Sequence, residues 1–201
     1  MAGISYERPG LLDSTHDGKE LINSKRLAFT LYIGLTVMLF GGLFVGWFVL
    51  RGTNAMWPPS DIPEMTFLKA LPMTIALLLC VVFMKLARKR SDLADYPGFR
   101  MNVLYSLLAS LLFLLAFGLE WARLIGAGVD MSGVYGGMYY VITGAFIAHF
   151  IGGVYAQIHF LRPKATVQLL LEKNAGFANS QSWYYLMLGL WAAIVYLVYL
   201  T

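Results

Sequence analysis

Five long apolar blocks leave this 201-residue chain very few ways to fold. A helix that crosses the hydrocarbon core of a bilayer needs ~20 mostly apolar residues. Residues 27–50, 67–86, 101–123, 135–161 and 183–200 each reach or approach that length. The expected fold is therefore an all-α membrane protein with five transmembrane helices. Composition excludes a soluble domain: 59% of residues are hydrophobic, 13% are charged, and the mean hydropathy is +0.66.

The net charge of +4 points to nucleic acid only if its distribution is ignored. Five spans alternate sides, so the loops can be sorted. Twelve of the 15 Lys and Arg fall on the side of the N-terminus: Arg8, Lys19, Lys25, Arg26, Lys85, Arg88, Lys89, Arg90, Arg100, Arg162, Lys164 and Lys173. Arg51, Lys69 and Arg123 fall on the other. This bias predicts a cytoplasmic N-terminus and an external, periplasmic C-terminus. The basic side is expected to meet anionic lipid headgroups and no nucleic acid.

Residues 1–26 read as a polar cytoplasmic tail and 27–201 as one five-helix transmembrane domain. No short apolar segment precedes a small-residue cleavage site, so a signal peptide is not expected. The connection 51–65 is proline-rich, 86–100 is basic and 125–134 is glycine-rich; within 162–182, the stretch "ATVQLLLEK" suits a short interfacial helix. Cys80 is the sole cysteine, which excludes an internal disulfide and a thiolate cluster and suits a packed thiol. Pumps and transporters usually carry intramembrane carboxylates or charge pairs. Here Lys69, Lys85, Glu120 and Arg123 sit at predicted helix ends, within snorkelling reach of water. Glu120 and Arg123 are spaced for an i,i+3 ion pair, or for anchoring a lipid headgroup or a partner subunit. No phosphate loop, zinc site or nucleophile triad is present in the sequence, so an autonomous enzyme is not expected.

The fourth block, "GVYGGMYYVITGAFIAHFIGG", holds the one deep histidine, His149. At ~100° per residue its small residues cluster on one half of the helix and its bulky ones on the other. Gly144, Ala148 and Gly152 form a small-residue track, which in lipid permits close helix approach. Gly42 and Gly46 make a shorter track on the first helix. His149 falls on the small half and is expected to face protein. Three roles are open for it: a hydrogen-bonded interior side chain, a proton relay, or a ligand. His159 lies about 15 Å further along the same helix and cannot share a metal with it. The interior reading is preferred, because buried polar groups generally find partners.

Several segments together resemble subunit III of cytochrome c oxidase and related haem–copper oxidases. They are "MLFGGLFVGWFVLR" followed by "WPP" (57–59), "LEW" (119–121), "YGGMYYVITGAFIAH" (135–149) and "SWYYLMLGLWAAIVYLVYL" (182–200). The chain reads as a divergent bacterial five-helix member. The resemblance implies a non-catalytic subunit of a respiratory oxidase in the bacterial inner membrane. Haem and copper would then reside in the partner catalytic subunit I, with none in this chain. Phospholipids, and further respiratory subunits, would be the other partners. Carried over by position, it leaves Trp57, Glu120 and His149 as family-matched sites of lipid or subunit contact, to which the residue reading above adds Arg123 beside Glu120. Four positions depart from the family pattern: Thr36 stands where the pattern has Glu, Phe146 and Tyr185 where it has His, and Leu188 where it has Asp. These departures bear on the family's association with proton uptake. A subunit-III-like component of a nitric oxide reductase, and a small transporter or channel, are the alternative readings.

Overall fold

The computed structural model describes residues 11–60, 62–162 and 175–200; the side chains of 11–23, 25, 26, 175 and 176 lie outside the description. Five helices occur there: α1 (Leu11–Thr53), α2 (Phe67–Asp92), α3 (Tyr96–Gly126), α4 (Val134–Phe160) and α5 (Ala175–Val195). A π-helical turn, Tyr196–Leu200, continues α5. No strand occurs among the described residues. Each helix contains a stretch long and apolar enough to cross a membrane. The suggested interfacial helix in 162–182 lies largely outside the described residues.

The chain divides into two compact units between Met38 and Leu39. In the first, α1 is helical from Leu11, through the polar segment that precedes the apolar block. Within it Thr36 Oγ1 donates to Tyr32 O at 2.9 Å, so a buried hydroxyl is satisfied inside its own helix.

In the second unit, α2 and α3 form an antiparallel hairpin joined by residues 93–95, with α3 also against α4 and α5 against α2 and α4. Local chemistry sets the turn. Ala94 takes a left-handed conformation (φ 54°). Asp95 caps α3 by accepting from Gly98 N at 3.0 Å, Pro97 sits in the first turn, and Arg90 Nη1 holds Asp95 Oδ2 at 3.0 Å. Asp and Pro in that order therefore start α3 earlier than its apolar block suggests. At the opposite end α3 stops at Gly126, and Gly128 turns the chain with φ 84°, a region where a Cβ is costly.

The core is aromatic. Phe113 contacts Phe150 (4.7 Å between ring centroids), Trp191 (5.4 Å) and Phe146 (5.9 Å), which ties α3, α4 and α5 together. Trp191 Nε1 also donates to Thr74 Oγ1 at 3.0 Å, fixing α5 to α2. Within the chain, α4 does not divide cleanly into a packed and a free half. Tyr139, Tyr140, Phe146, Phe150, Gly153 and Val154 are buried, whereas Ala148, Ile151, Gly152 and Ile158 are exposed. Ala148 and Gly152 therefore do not seat α4 against the other helices of this chain.

Candidate functional site

His149 is half-buried on α4. Its Nδ1 lies 2.8 Å from Ala145 O, one turn back. A carbonyl can only accept, so Nδ1 carries the proton. The ring meets Phe40 edge-on at 5.6 Å and lies nearly parallel to Trp183 at 6.1 Å. Among the described residues no three His, Cys, Asp or Glu side chains converge as a metal site would require. The departures from the family pattern have ordinary packing environments. Phe146 is fully buried against Phe40, Phe113, Phe150 and Trp191. Tyr185 is exposed and its hydroxyl accepts from Gln181 Nε2 at 3.2 Å; Leu188 is half-buried.

Glu120 and Arg123 form the i,i+3 pair that their spacing predicts. Arg123 Nε reaches Oε2 at 2.8 Å and Nη2 reaches Oε1 at 2.6 Å, a two-pronged charge-assisted contact. The carboxylate is 8% exposed and the guanidinium 35%. The pair is thus asymmetric, with the anion inside and the cation at the margin. The phenols of Tyr139 and Tyr199 lie within electrostatic reach of the carboxylate.

The small-residue positions differ among themselves. A Cβ on Gly46 would meet Met138 Cε at 3.0 Å, and one on Gly144 would meet Trp121 at 3.7 Å. At Gly42 and Gly152 an added methyl would find nothing within 4 Å. Packing inside the chain therefore does not account for Gly42, Ala148 or Gly152. The glycine that does bring two helices together is Gly153, whose Cβ would stand 3.0 Å from Tyr184 Oη and 3.1 Å from the Trp183 indole.

A buried polar hub escaped the sequence reading. Gln157 Nε2 donates to Ser106 Oγ at 2.7 Å and lies 3.5 Å from Cys80 Sγ, while Ser110 Oγ lies 3.1 Å from Gln157 Oε1. Cys80 Sγ sits 3.2 Å from Ser106 Oγ and 3.1 Å from Ser110 Oγ, and Ser106 Oγ donates to Cys80 O at 3.0 Å. Four neutral side chains from α2, α3 and α4, all buried, satisfy one another. The available signals were Ser106-xxx-Ser110 on one helical face and a lone Gln in an apolar run.

Two concave sites flank the bundle. Near the start of α3, a groove of about 440 Å³ is lined by Tyr96, Pro97, Met101, Leu104 and Leu161, with Arg100 beside them. Arg100 lies over the Tyr96 ring at 5.9 Å, and its Nη2 donates to Leu161 O at 3.4 Å. The second, a cavity of about 220 Å³, lies between the α1–α2 and α3–α4 connections; Trp57, Tyr135, Asn54, Met56 and Asp130 are among its walls. Trp47, Trp57 and Tyr135 pack in a triangle with centroid separations of 5.0, 5.0 and 5.4 Å. Asp130 Oδ1 accepts from Ser132 N, Ser132 Oγ and Gly133 N at 3.0, 2.8 and 3.1 Å. These bonds hold the exposed carboxyl below its ordinary pKa.

Among the described residues the fold is helical, with five helices long and apolar enough to cross a membrane, which indicates a multi-pass membrane protein. No family model matches the chain. Curated proteins do. The chain is 28% identical over 180 residues to the probable cytochrome c oxidase subunit 3 of Mycobacterium leprae, a stretch covering 88% of each chain. It is 28% identical over 172 residues to the protein of the same description from Nocardia farcinica, covering 83% of this chain and 84% of that one. It is also 29% identical over 165 residues to the heme-copper oxidase subunit I+III of Aeropyrum pernix, covering 79% of this chain and 20% of that protein. The chain is thus similar over most of its length to proteins described as probable cytochrome c oxidase subunit 3, the family that the segments quoted above resemble.

Proposed function

We propose that this chain is the subunit-III component of a respiratory haem–copper oxidase of the cytochrome c oxidase type. Similarity to proteins of that description, running over 88% of both chains, carries the reading. The chain would be non-catalytic and would support the catalytic subunit I by helix packing and lipid binding during aerobic electron transport. Haem and copper would belong to subunit I. The Aeropyrum relative, whose description joins subunits I and III, supports that partnership. Residues 1–26 would be the cytoplasmic tail and 27–201 the domain in the bacterial inner membrane, with the C-terminus outside.

Two surfaces suit these roles. Exposed Gly42, Ala148 and Gly152 would admit a helix of the partner subunit to close approach, since small residues are what membrane interfaces use. The apolar groove beside Arg100 suits an acyl chain with its phosphate near the guanidinium. Trp57, Glu120, Arg123 and His149 remain proposed contacts to lipid or to a partner.

The test is gentle solubilisation of the native complex, followed by mass spectrometry and a haem spectrum. The chain should co-purify with a haem-bearing, copper-bearing subunit and carry no haem when separated. Stoichiometric haem in the separated chain, or a complex without a haem–copper centre, would refute the proposal.

A further inference from the structure

The cavity between the α1–α2 and α3–α4 connections has a composition that the subunit-III reading does not use. Aromatic rings, an amide and a carboxylate share its lining: Trp57, Tyr135, Asn54 and Asp130. Ring faces carry negative quadrupole potential and attract cations, Trp most strongly. Asp130 adds a full negative charge at neutral pH. The three hydrogen bonds that fix its loop all end on Oδ1, so Oδ2 is not used in that cap. Aromatic walls beside a carboxylate suit an organic cation and disfavour an anion.

Size and surroundings narrow the occupant. At about 220 Å³ the cavity is smaller than the ~300–1,000 Å³ of ordinary small-molecule sites. It has room for one side chain and none for the body of a phospholipid. The two connections that form it carry Glu64 and Asp130, and the cations beside them in sequence are Arg51, Lys69 and Arg123. The Lys69 ammonium, in the first turn of α2, donates to Glu64 O, and Arg123 is engaged by Glu120. Trp47 stands behind the lining and braces its two rings, packing against both Trp57 and Tyr135; Trp47 and Tyr135 are buried and Trp57 is half-buried. Rigid aromatic pockets that receive a single Arg are the usual shape of an interface anchor point.

We propose that this cavity receives one basic side chain, Arg or Lys, from a neighbouring polypeptide on the same membrane face. The site does not depend on which complex hosts the chain.

Photocrosslinking in native membranes tests this, with the full chain carrying Met56→p-benzoylphenylalanine, since Met56 is exposed and lines the cavity. Sequenced crosslinked peptides should centre on an Arg or Lys. The Asp130→Asn variant keeps an Oδ1 acceptor for the loop and removes the charge. It should lower the yield roughly fivefold, in line with a cation–π and carboxylate contact. Trp57→Leu should do the same while Trp57→Phe keeps most of the yield. About 1 M salt, where the Debye length is ~3 Å, should also reduce it. Crosslinks only to lipid, only to peptides without a basic residue, or to nothing would overturn the proposal. So would a yield unchanged in both Asp130→Asn and Trp57→Leu, provided access to buried Cys80 shows that each variant is folded.

Discussion

Adjacent glycines on α4 should respond in opposite ways to the same methyl group. At Gly153 an added Cβ meets Tyr184 Oη at 3.0 Å and the Trp183 ring at 3.1 Å, closer than comfortable van der Waals contact. Both neighbours are buried side chains of α5, which leaves them little room to swing aside. Overpacking of this kind costs about 1–3 kcal/mol. Replacing Gly by Ala inside a helix returns up to about 1 kcal/mol. The clash wins, and Gly153→Ala should be destabilising by about 1 kcal/mol. At Gly152 nothing lies within 4 Å, so the helix term acts alone and the isolated chain should be unchanged or slightly more stable. The sole cysteine supplies the assay. Cys80 is fully buried and hydrogen-bonded, so a maleimide dye can reach it only when the bundle opens. A loss of about 1 kcal/mol raises the open population, and with it the labelling rate, about fivefold. Gly153→Ala should label about fivefold faster than the parent in detergent, and Gly152→Ala no faster. Parent-like labelling of Gly153→Ala together with faster labelling of Gly152→Ala would refute the assignment of the packed face. In the whole complex the order should reverse: Gly152→Leu should weaken association with the catalytic subunit while Cys80 stays protected.

Three further outcomes follow from the geometry. Gln157→Leu keeps the bulk but removes the hub's amide, and should speed Cys80 labelling by an amount equivalent to about 1–2 kcal/mol, since single hydrogen bonds in membrane proteins average ~0.6 and this residue makes several. Arg123→Gln should harm thermal stability in detergent more than Glu120→Gln, because it strands the buried partner, whereas the reverse change leaves a cation that can reach water. His149→Phe should disturb assembly or stability, read by complex yield, more than proton pumping, read in reconstituted vesicles; normal assembly with a large pumping loss would contradict the interior role.

The blocks at 27–50 and 67–86 could be seen in sequence because hydrocarbon imposes length and polarity directly. Helix ends were harder, since they are set by caps: Asp95 and Pro97 extend α3 beyond its apolar stretch. The wheel of α4 separated small from bulky residues but did not divide packed from exposed ones, since Gly153 is buried and Ile151 is exposed. That depends on Phe113, Trp183 and Trp191, which come from other helices. The Glu120–Arg123 pair was readable because its spacing is local. The polar hub was not, since its members are neutral and Gln157 lies 77 positions from Cys80.

That separation along the chain also has a consequence for biogenesis. Cys80, Ser106 and Ser110 belong to the α2–α3 hairpin, whose three-residue link lets both spans pair as soon as the second leaves the insertion machinery. At that moment the serine hydroxyls already have Cys80 and the carbonyls of Cys80 and Ser106 as partners, so the hairpin can wait in lipid without exposed hydroxyls. Gln157 enters some fifty residues of synthesis later and needs those same serines to shed its own amide's cost. The hub therefore joins an early half, whose hydroxyls are satisfied within the hairpin, to a late half whose amide is satisfied only by that hairpin.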